Sequence, residues 1–124
     1  MNALILLIYL TEIKYGLPPG LLMAIVLHES GGQWQVSMER IGGCSVGPAQ
    51  IYFPDCNQRH RTHQLEDNLA AGARILQRSH KLCIRYPKWK ACKHSLWALY
   101  NARSPVWWHN VNRIWTKLMA RYAD

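Results

Sequence analysis

The carboxylate of Glu29 stands at the end of the most apolar stretch of the chain, Leu21 to Leu27, and Ser30 and two glycines follow it. This pattern predicts a buried helix that ends at the glycines. A carboxyl group at that end would be partly desolvated and close to the negative pole of the helix dipole, and both effects raise its pKa. A carboxylic acid that stays protonated near neutral pH can donate a proton to a leaving oxygen atom. An ordinary surface acid at a helix end fits the same position, so position alone leaves both interpretations open.

Three further segments follow Glu29-Ser30-Gly31 in order: Gly47-Pro48-Ala49-Gln50, Asn68 to Leu76, and Ala98-Leu99-Tyr100-Asn101-Ala102. Each segment alone is a weak signal, whereas the ordered set is a strong one. Together, and after an apolar helix, they resemble the soluble lytic transglycosylase family, which shares the goose-type lysozyme fold. The resemblance runs from about residue 12 to residue 103. It implies a compact, mainly α, lysozyme-like domain that cuts the glycan strands of bacterial peptidoglycan.

The resemblance also implies a role for each matching residue. Glu29 would be the sole catalytic acid and then the base, and Ser30 would orient the loop that follows it. Gln50 would line the cleft and form a hydrogen bond with the sugar or its N-acetyl group. Tyr100 would hold the Glu29 carboxyl by a hydrogen bond, and Asn101 would support the glycan or the loop. For Tyr100 and Asn101, core packing with a paired polar tip is the alternative.

The sequence departs from the family pattern at several positions. Pro48 and Ala49 replace the usual Leu-Met pair, which removes bulk from the expected floor of the cleft. The segment between Glu29 and Gln50 is a few residues longer than usual. The family often has a serine in this segment that touches the substrate, and Ser37 is the candidate here, with Ser45 as its rival. Arg103 replaces the usual glycine after Asn-Ala and would place a positive charge at the edge of the cleft.

The acidic residues of the chain bear on the expected reaction. There are seven of them, Glu12, Glu29, Glu39, Asp55, Glu66, Asp67 and Asp124. A hydrolytic glycosidase generally needs two carboxylates. We expect Glu12, Glu66 and Asp67 to be charges on helix surfaces or at helix starts. Glu39 and Asp55 could reach the cleft, but solvated loop charges are the expected assignment for both.

With one acid, the substrate itself must supply the remaining groups. The muramic N-acetyl group would stabilise the developing cation, as in substrate-assisted glycosidases. Glu29 would then take a proton from the O6 hydroxyl of the same sugar, so that the product is a 1,6-anhydromuramoyl end formed without water. A hydrolytic goose-type muramidase is the alternative enzyme. A non-catalytic basic component of a virion that keeps the fold is the alternative without chemistry.

The four cysteines, Cys44, Cys56, Cys83 and Cys92, predict disulfides, because an even number in a small domain favours them. We favour Cys44 with Cys56 and Cys83 with Cys92, since each pair would close a short loop. Reduced, partly buried thiols are the alternative. Cys44 and Cys56 could also join His60 and His63 around zinc, but the spacing is not that of a structural zinc site. We therefore expect neither a metal nor a cofactor.

The net charge of +8, from 15 basic and 7 acidic residues, favours a polyanionic partner. Nucleic acid, an acidic membrane surface and an anionic cell wall all fit this charge, but no long basic run marks a nucleic-acid arm. The resemblance implies peptidoglycan as the partner, and we expect neither nucleic-acid binding nor membrane insertion. The apolar stretch from Leu4 to Leu10 is too short to cross a bilayer and lacks the features of a secretory signal. Action in the periplasm or cell wall would then require delivery by a phage particle or by secretion or conjugation machinery.

The coarse pattern predicts one mainly helical domain over residues 1–124. Helices are expected at 3–15, from Pro18-Pro19 to Ser30, from Glu66-Asp67 to about His80, around residues 91–99, and after Ser104-Pro105. Residues 31–47 contain five glycines and predict a long irregular loop, with a small hairpin as the alternative. A short helical turn is expected at residues 48–52, and an irregular segment at 53–64.

Six tryptophans could stack on sugar rings. Trp34 lies in the long loop and is the best cleft candidate, since loop aromatics often bind ligands. Trp97 and Trp115 occur at helical spacing and are expected in the core. Trp107 and Trp108 are adjacent and cannot both face the core from one helix, so one of them can line the groove.

Overall fold

The computed structural model describes residues 2–122 of the chain. Helices dominate it, so the predicted mainly α class is confirmed. The α helices are α1 (Ala3–Lys14), α2 (Leu21–Ser30), α3 (Leu65–Arg85) and α4 (Trp107–Tyr122). The strands are β1 (Val36–Met38), β2 (Cys44–Val46) and β3 (Ile51–Phe53), and 3₁₀ helices occur at Cys56–Thr62, Ala91–Lys93 and Ala98–Asn101. No helix within residues 2–122 is long and apolar enough to cross a bilayer.

Helix α2 is the centre of the core, because its first six residues are buried on all sides. It packs against α1 and α4, and α3 covers α1. Burying a large apolar side chain of this kind contributes about 1.5–3 kcal/mol. The predicted limits of α1 and α2 agree with the structure to within a few residues; Pro18 and Pro19 precede α2 rather than form its first turn.

The expectation for Glu12 is wrong, because this side chain is buried and not on the helix surface. Its Oε1 atom accepts a hydrogen bond from the Gly20 amide (2.9 Å), and Oε2 accepts from the amides of Leu22 (2.8 Å) and Met23 (3.2 Å). These amides belong to the first turn of α2, where backbone donors have no partner within the helix. Glu12 of α1 therefore caps α2, which begins at a glycine that has no side chain to do so.

The predicted long loop after α2 contains β1 and β2, which form a three-stranded antiparallel sheet with β3 in the order β1-β2-β3. The alternative of a small hairpin is nearer to the structure, and the helical turn expected at 48–52 is instead a turn followed by β3. Ser37 of β1, Ser45 of β2 and Tyr52 of β3 are paired in register. Side chains of paired residues project from the same face of a sheet, and their neighbours along each strand project from the other. Strands of three residues are too short for such alternation to show in the sequence.

Two disulfides link elements of the fold to each other, and both predicted pairs are confirmed. Cys44 of β2 is bonded to Cys56, at the start of the first 3₁₀ helix. Cys83 of α3 is bonded to Cys92, in the second 3₁₀ helix. The first bond attaches the sheet to the segment that leads into α3, and the second attaches the 91–93 segment to the end of α3.

Two predictions for the second half of the chain are wrong. Residues 56–62, expected to be irregular, form a 3₁₀ helix, whose first turn is capped by the Asp55 side chain accepting from the Asn57 amide (3.0 Å). The helix expected around residues 91–99 is two separate 3₁₀ helices. The hydroxyl of Ser79 donates to the Leu96 carbonyl (2.7 Å) and accepts from the Leu99 amide (3.1 Å). The Ser79 side chain thus pairs with backbone groups that would form hydrogen bonds within the helix if residues 91–99 were one continuous helix.

Candidate active site

Glu29 lies in the last turn of α2, at the edge of an open cleft. Gly31 ends the helix in the left-handed conformation (φ 65°), and its amide donates to the Leu27 carbonyl (3.1 Å). Glycine favours this conformation because it has no side chain to clash. The cleft encloses about 890 Å³, including space continuous with solvent. Its walls are formed by Glu29, Glu39, Ile41, Ser45, Gln50, Tyr52, Leu99, Tyr100, Asn101, Ala102 and Arg103.

The Glu29 carboxyl is held by a tryptophan of α4. The indole Nε1–H of Trp107 donates to Glu29 Oε1 at 2.8 Å. Burial has the largest effect on this group and raises the pKa of Glu29. The Trp107 hydrogen bond and the charge of His28 lower that pKa, the charge of Glu39 raises it, and the net shift is upward. The geometry therefore provides a carboxyl group that retains its proton at higher pH than an ordinary glutamate.

Tyr100 lies beside this pair, but the hydrogen bond expected between Tyr100 and Glu29 is not the one formed. The Tyr100 hydroxyl donates to the Ala49 carbonyl at 2.5 Å. Its ring stacks on Trp107 with a centroid separation of 5.4 Å and an angle of 8° between the planes. Burial and the charge of Glu29 both raise the pKa of Tyr100, so its hydroxyl remains protonated. Tyr100 thus positions the tryptophan that holds Glu29, instead of holding Glu29 itself.

The turn that joins β2 to β3, Gly47 to Gln50, is fixed from two sides. From α2, the Ser30 hydroxyl donates to the Pro48 carbonyl (2.8 Å), as expected for a residue that orients the loop. From α3, the buried Asn68 side chain accepts from the Ala49 amide (2.9 Å) and donates to the Val46 carbonyl (2.8 Å). Gly47 has a φ of 77°, and a Cβ atom there would lie 2.4 Å from Asn68 Nδ2. Only glycine fits this position without displacing the Asn68 side chain.

Gln50 lines the cleft, as the sequence predicts. Its φ is 52°, a left-handed conformation that non-glycine residues adopt rarely. The side-chain nitrogen donates to the carbonyls of Gly47 (3.0 Å) and Gln35 (3.2 Å). An amide nitrogen carries two hydrogens, so the group that remains for a substrate is the carbonyl oxygen, an acceptor. A sugar hydroxyl or the N–H of an N-acetyl group would suit it.

Asn101 and Arg103 also line the cleft, next to Tyr100. Asn101 ends the third 3₁₀ helix and is partly buried, whereas Arg103 is exposed in the connection to α4. The expected positive charge at the edge of the cleft is therefore in place.

The two candidate serines differ in position. Ser45 lines the cleft, whereas Ser37 is its partner on the outer strand β1 and is not part of the cleft wall. The Ser45 hydroxyl donates to Glu39 Oε1 at 2.8 Å. Glu39 is exposed in the loop between β1 and β2, as expected for a loop charge, and it also lines the cleft. Asp55 instead caps the first 3₁₀ helix.

The tryptophans agree with the prediction except for Trp34. Trp34 is 45% exposed but lies in a separate depression with Val36, Val46 and Arg59. Val36 and Val46 project from the face of the sheet opposite to Ser45, so Trp34 is not a cleft residue. Trp107 is buried with 2% exposure, and Trp108 lines a pocket next to the cleft. Trp97 and Trp115 pack against the core from its edge.

The residues considered as zinc ligands do not form a set, because Cys44 and Cys56 are bonded to each other. In the part of the chain that the structure describes, no group of three or more His, Cys, Asp or Glu side chains is placed to hold a metal ion.

Three residues of the site make contacts that the sequence did not predict: Trp107, Asn68 and Glu39. The burial of Asn68 could have been predicted from the sequence. Asn68, Gly72 and Leu76 follow each other at helical spacing and share the buried face of α3, and Asn68 is the polar residue among these three. Trp107 had a weaker signal, because it is a large aromatic residue close to the start of the helix that Ser104-Pro105 predicts. For Glu39, a position at the cleft was considered but a loop charge was the expected assignment, and the small hairpin that carries it was only the alternative to a long loop.

Comparisons of the chain with known protein families, curated proteins and solved structures find no match. The resemblance to soluble lytic transglycosylases therefore depends on the motifs themselves and on what their residues do in this structure.

Proposed function

We propose that this chain is a peptidoglycan lytic transglycosylase that uses Glu29 as its proton donor. The observation that carries the proposal is the Glu29 carboxyl itself, desolvated, bonded to Trp107 and placed at an open cleft. A polymer can lie in an open cleft with its ends free, whereas an enclosed cavity suits a small molecule. Gln50 and Asn101 add uncharged polar groups to the walls, as an uncharged sugar chain requires.

The proposed first step is bond cleavage. Glu29 donates its proton to the oxygen of the β-1,4 bond between N-acetylmuramic acid and N-acetylglucosamine, and the C1–O bond breaks. The 2-acetamido group of the muramic residue stabilises the positive charge that develops on C1. Glu29 is then a carboxylate, and the N–H of Trp107 stabilises that charge because it already points at Oε1.

The proposed second step closes the ring. Glu29 removes the proton from the O6 hydroxyl of the muramic residue, and the electron pair of O6 forms a bond to C1, which removes the positive charge that the acetamido group had stabilised. The product is a 1,6-anhydromuramoyl end, and Glu29 has regained its proton. One carboxyl group thus serves both steps, and its raised pKa suits the first.

Hydrolysis is the second candidate, and the position of Glu39 favours it. A second carboxylate that lines the same cleft could activate a water molecule, as the second acid of an inverting glycosidase does. The product would then contain one added water and no anhydro ring.

The test is digestion of purified peptidoglycan by the isolated protein, with the soluble fragments identified by mass spectrometry. Anhydromuramoyl fragments support the transglycosylase, and fragments heavier by one water support the hydrolase. Glu29→Gln should reduce either activity by about a thousandfold or more, since general acid catalysis supplies much of the rate. Glu66→Gln, an exposed acid of α3, is the matched control. Absence of cleavage by the folded wild-type protein would favour a non-catalytic role, such as a basic component of a virion.

The proposed site of action is the periplasm or cell wall, with peptidoglycan as the partner. Stem peptides and teichoic acids of the wall are anionic, and attraction to the net charge of +8 would raise the rate of encounter. We propose delivery by a phage particle or by secretion or conjugation machinery. Release of wall fragments by isolated particles, lost in the Glu29→Gln variant, would support the first route.

A further inference from the structure

A second depression lies behind the sheet, on the face opposite to the cleft. It encloses about 840 Å³, including space continuous with solvent, and shares no lining residue with the cleft. Val36 and Val46 are paired in register and give it apolar surface, and Trp34, 45% exposed, adds an aromatic ring. Its polar lining consists of Asn57, Arg59, His60 and His63. This Trp34 depression is a surface site separate from the candidate active site.

The backbone on both sides of the Trp34 depression is fixed. On one side, the carbonyl of Gln35, which follows Trp34, accepts a hydrogen bond from the Gly47 amide (2.8 Å). On the other side, the disulfide between Cys44 and Cys56 attaches the 3₁₀ helix that carries the polar side chains to β2. A ligand therefore meets a surface that is already formed, which reduces the cost of ordering it on binding.

The polar side chains of the depression can both donate and accept hydrogen bonds. One guanidinium nitrogen of Arg59 donates to the Cys56 carbonyl (3.0 Å), and the group carries further N–H donors. His60 Nδ1 lies 3.0 Å from the Asn57 carbonyl, and because a carbonyl only accepts, Nδ1 carries a hydrogen. A neutral His60 then presents Nε2 as an acceptor, and the Asn57 side chain has both kinds of group. Hydroxyl groups suit such a lining, since they also donate and accept.

The combination of an exposed indole with these polar groups restricts the ligand. A pyranose ring has C–H groups on its face and hydroxyls at its rim, so it can stack on Trp34 and form hydrogen bonds around it. An anion would use cations and would gain nothing from the tryptophan or the two valines. Of the residues that line the depression, Arg59 alone carries a permanent charge. The lining therefore fits a sugar better than an anionic group.

We infer that the Trp34 depression is a second, non-catalytic sugar site, which binds a neighbouring glycan strand of the wall while the cleft holds the strand to be cut. This inference rests on the proposed function for the identity of the polymer. Because the two sites lie on opposite faces of one sheet, a straight strand cannot lie along both, and a neighbouring strand is the occupant that fits. Two contacts with one insoluble network strengthen attachment, since the second contact forms at a high effective concentration.

The test measures binding without cleavage. Glu29→Gln is the parent protein, and its dissociation constant is measured by depletion from solution onto insoluble peptidoglycan that has been freed of teichoic acids. Trp34→Ala in this parent should weaken binding about tenfold or more, because tryptophans often dominate the energy of binding surfaces. Trp89→Ala is the matched control, since Trp89 is equally exposed and lines neither site. It should leave the dissociation constant unchanged.

A pair of arginine variants separates sugar recognition from general attraction to the anionic wall. Arg59→Ala removes a donor from the depression, and Arg61→Ala removes the same charge from an exposed position of the same 3₁₀ helix that does not line it. Only Arg59→Ala should weaken binding, and its effect and that of Trp34→Ala should persist in about 1 M salt, where the Debye length is about 3 Å. Equal losses in the two arginine variants that disappear at this salt concentration would overturn the inference.

A soluble probe gives an independent measurement. The tetramer of N-acetylglucosamine is added to the Glu29→Gln protein, and NMR records the indole N–H signals. The signal of Trp34, identified by its loss in Trp34→Ala, should shift, and the remaining indole signals of that variant report that it is folded.

Two results would overturn the second sugar site while leaving the proposed function intact. One is a Trp34 signal that the tetramer does not shift, and the other is a folded Trp34→Ala variant that binds the wall as tightly as its parent. Failure of the wild-type protein to cleave peptidoglycan would instead overturn the proposed function. The binding measurements would still decide on the sugar site, because they do not depend on cleavage.

Discussion

Trp107 Nε1 and Glu29 Oε1 lie 2.8 Å apart, although the two residues are separated by 78 positions in the sequence. The bond joins the first turn of α4 to the last turn of α2. It acts against desolvation, because it favours the charged carboxylate that burial disfavours. Burial therefore raises the pKa of Glu29, and the hydrogen bond from Trp107 lowers it. Trp107 belongs to a helix that is far from Glu29 in the sequence.

Replacing Trp107 with phenylalanine should separate this bond from the packing around it. The variant keeps an aromatic ring beside Tyr100 but loses the N–H donor, and we expect kcat to fall about tenfold or more. Because the bond lowers the pKa of Glu29, its loss should raise that pKa. The proposed mechanism requires protonated Glu29, so the decline of the rate at alkaline pH should move to higher pH. A pH profile of kcat measures this shift.

The control for that variant is Trp89→Phe, an exposed tryptophan that stacks on Tyr86 away from the cleft. It should leave both the rate and the profile unchanged. A Trp107→Phe protein with full activity and an unshifted profile would show that the bond plays no part in catalysis.

The sequence predicts the centre of this site better than its surroundings. Glu29, Gln50, Tyr100 and Asn101 come from three motifs, and the structure brings all four to one cleft. Such motifs identify the residues of a site, but they do not show which atoms form hydrogen bonds with each other. Tyr100 was matched to Glu29, yet its hydroxyl reaches Ala49 and the Glu29 partner is a tryptophan.

The remaining differences have physical causes in short or non-local structure. Three-residue strands contain too little alternation to identify them, so the hairpin that carries Glu39 could be given only as the alternative to a long irregular loop. Glu12 looks like a surface acid because nothing in α1 reveals that a later helix begins beside it without a cap of its own. The disulfides were predictable because their loops are short and local.

Glu29→Gln should have a pH-dependent effect on stability. Because the folded-state pKa of Glu29 is raised, wild-type stability is highest relative to the variant below the ordinary pKa of a glutamate, and this advantage is lost as the pH rises through the raised value. Glutamine does not titrate and can still accept from Trp107. Thermal melts at several pH values should therefore show the variant gaining on the wild type as pH rises. Glu66→Gln should show no such gain, and a constant difference for Glu29→Gln would contradict the raised pKa.

Asn68→Ala should test the support of the Gly47 to Gln50 turn. The variant leaves the Ala49 amide and the Val46 carbonyl buried without this partner. Each such group costs about 1–3 kcal/mol, so we expect a loss of about 2–4 kcal/mol in the free energy of unfolding. Urea denaturation measures the loss. Asn57→Ala, at an exposed position, should change stability by less than about 0.5 kcal/mol. A loss for Asn68→Ala no larger than that would mean that the turn does not need this residue.

Glu39→Gln should decide how the second carboxylate of the cleft is used. Glutamine keeps an oxygen that can accept from Ser45, so the hairpin should retain its shape. If Glu39 acts only through its charge, the variant still produces anhydromuramoyl ends. The charge of Glu39 raises the pKa of Glu29, so its removal should move the alkaline decline of the rate to lower pH. This is the outcome we expect, opposite in direction to that of Trp107→Phe.

If Glu39 is instead a general base, a different product is expected. A general base that activates water would make the wild-type fragments heavier by one water, and Glu39→Gln would lower their yield by about a hundredfold or more. Asp67→Asn, an exposed acid in the first turn of α3, is the matched control for removal of one negative charge. Mass spectrometry of both digests separates the two cases. If Glu39 acts only through its charge, Glu39→Gln shifts the pH profile and the product stays the same. If Glu39 is the general base, Glu39→Gln changes the product.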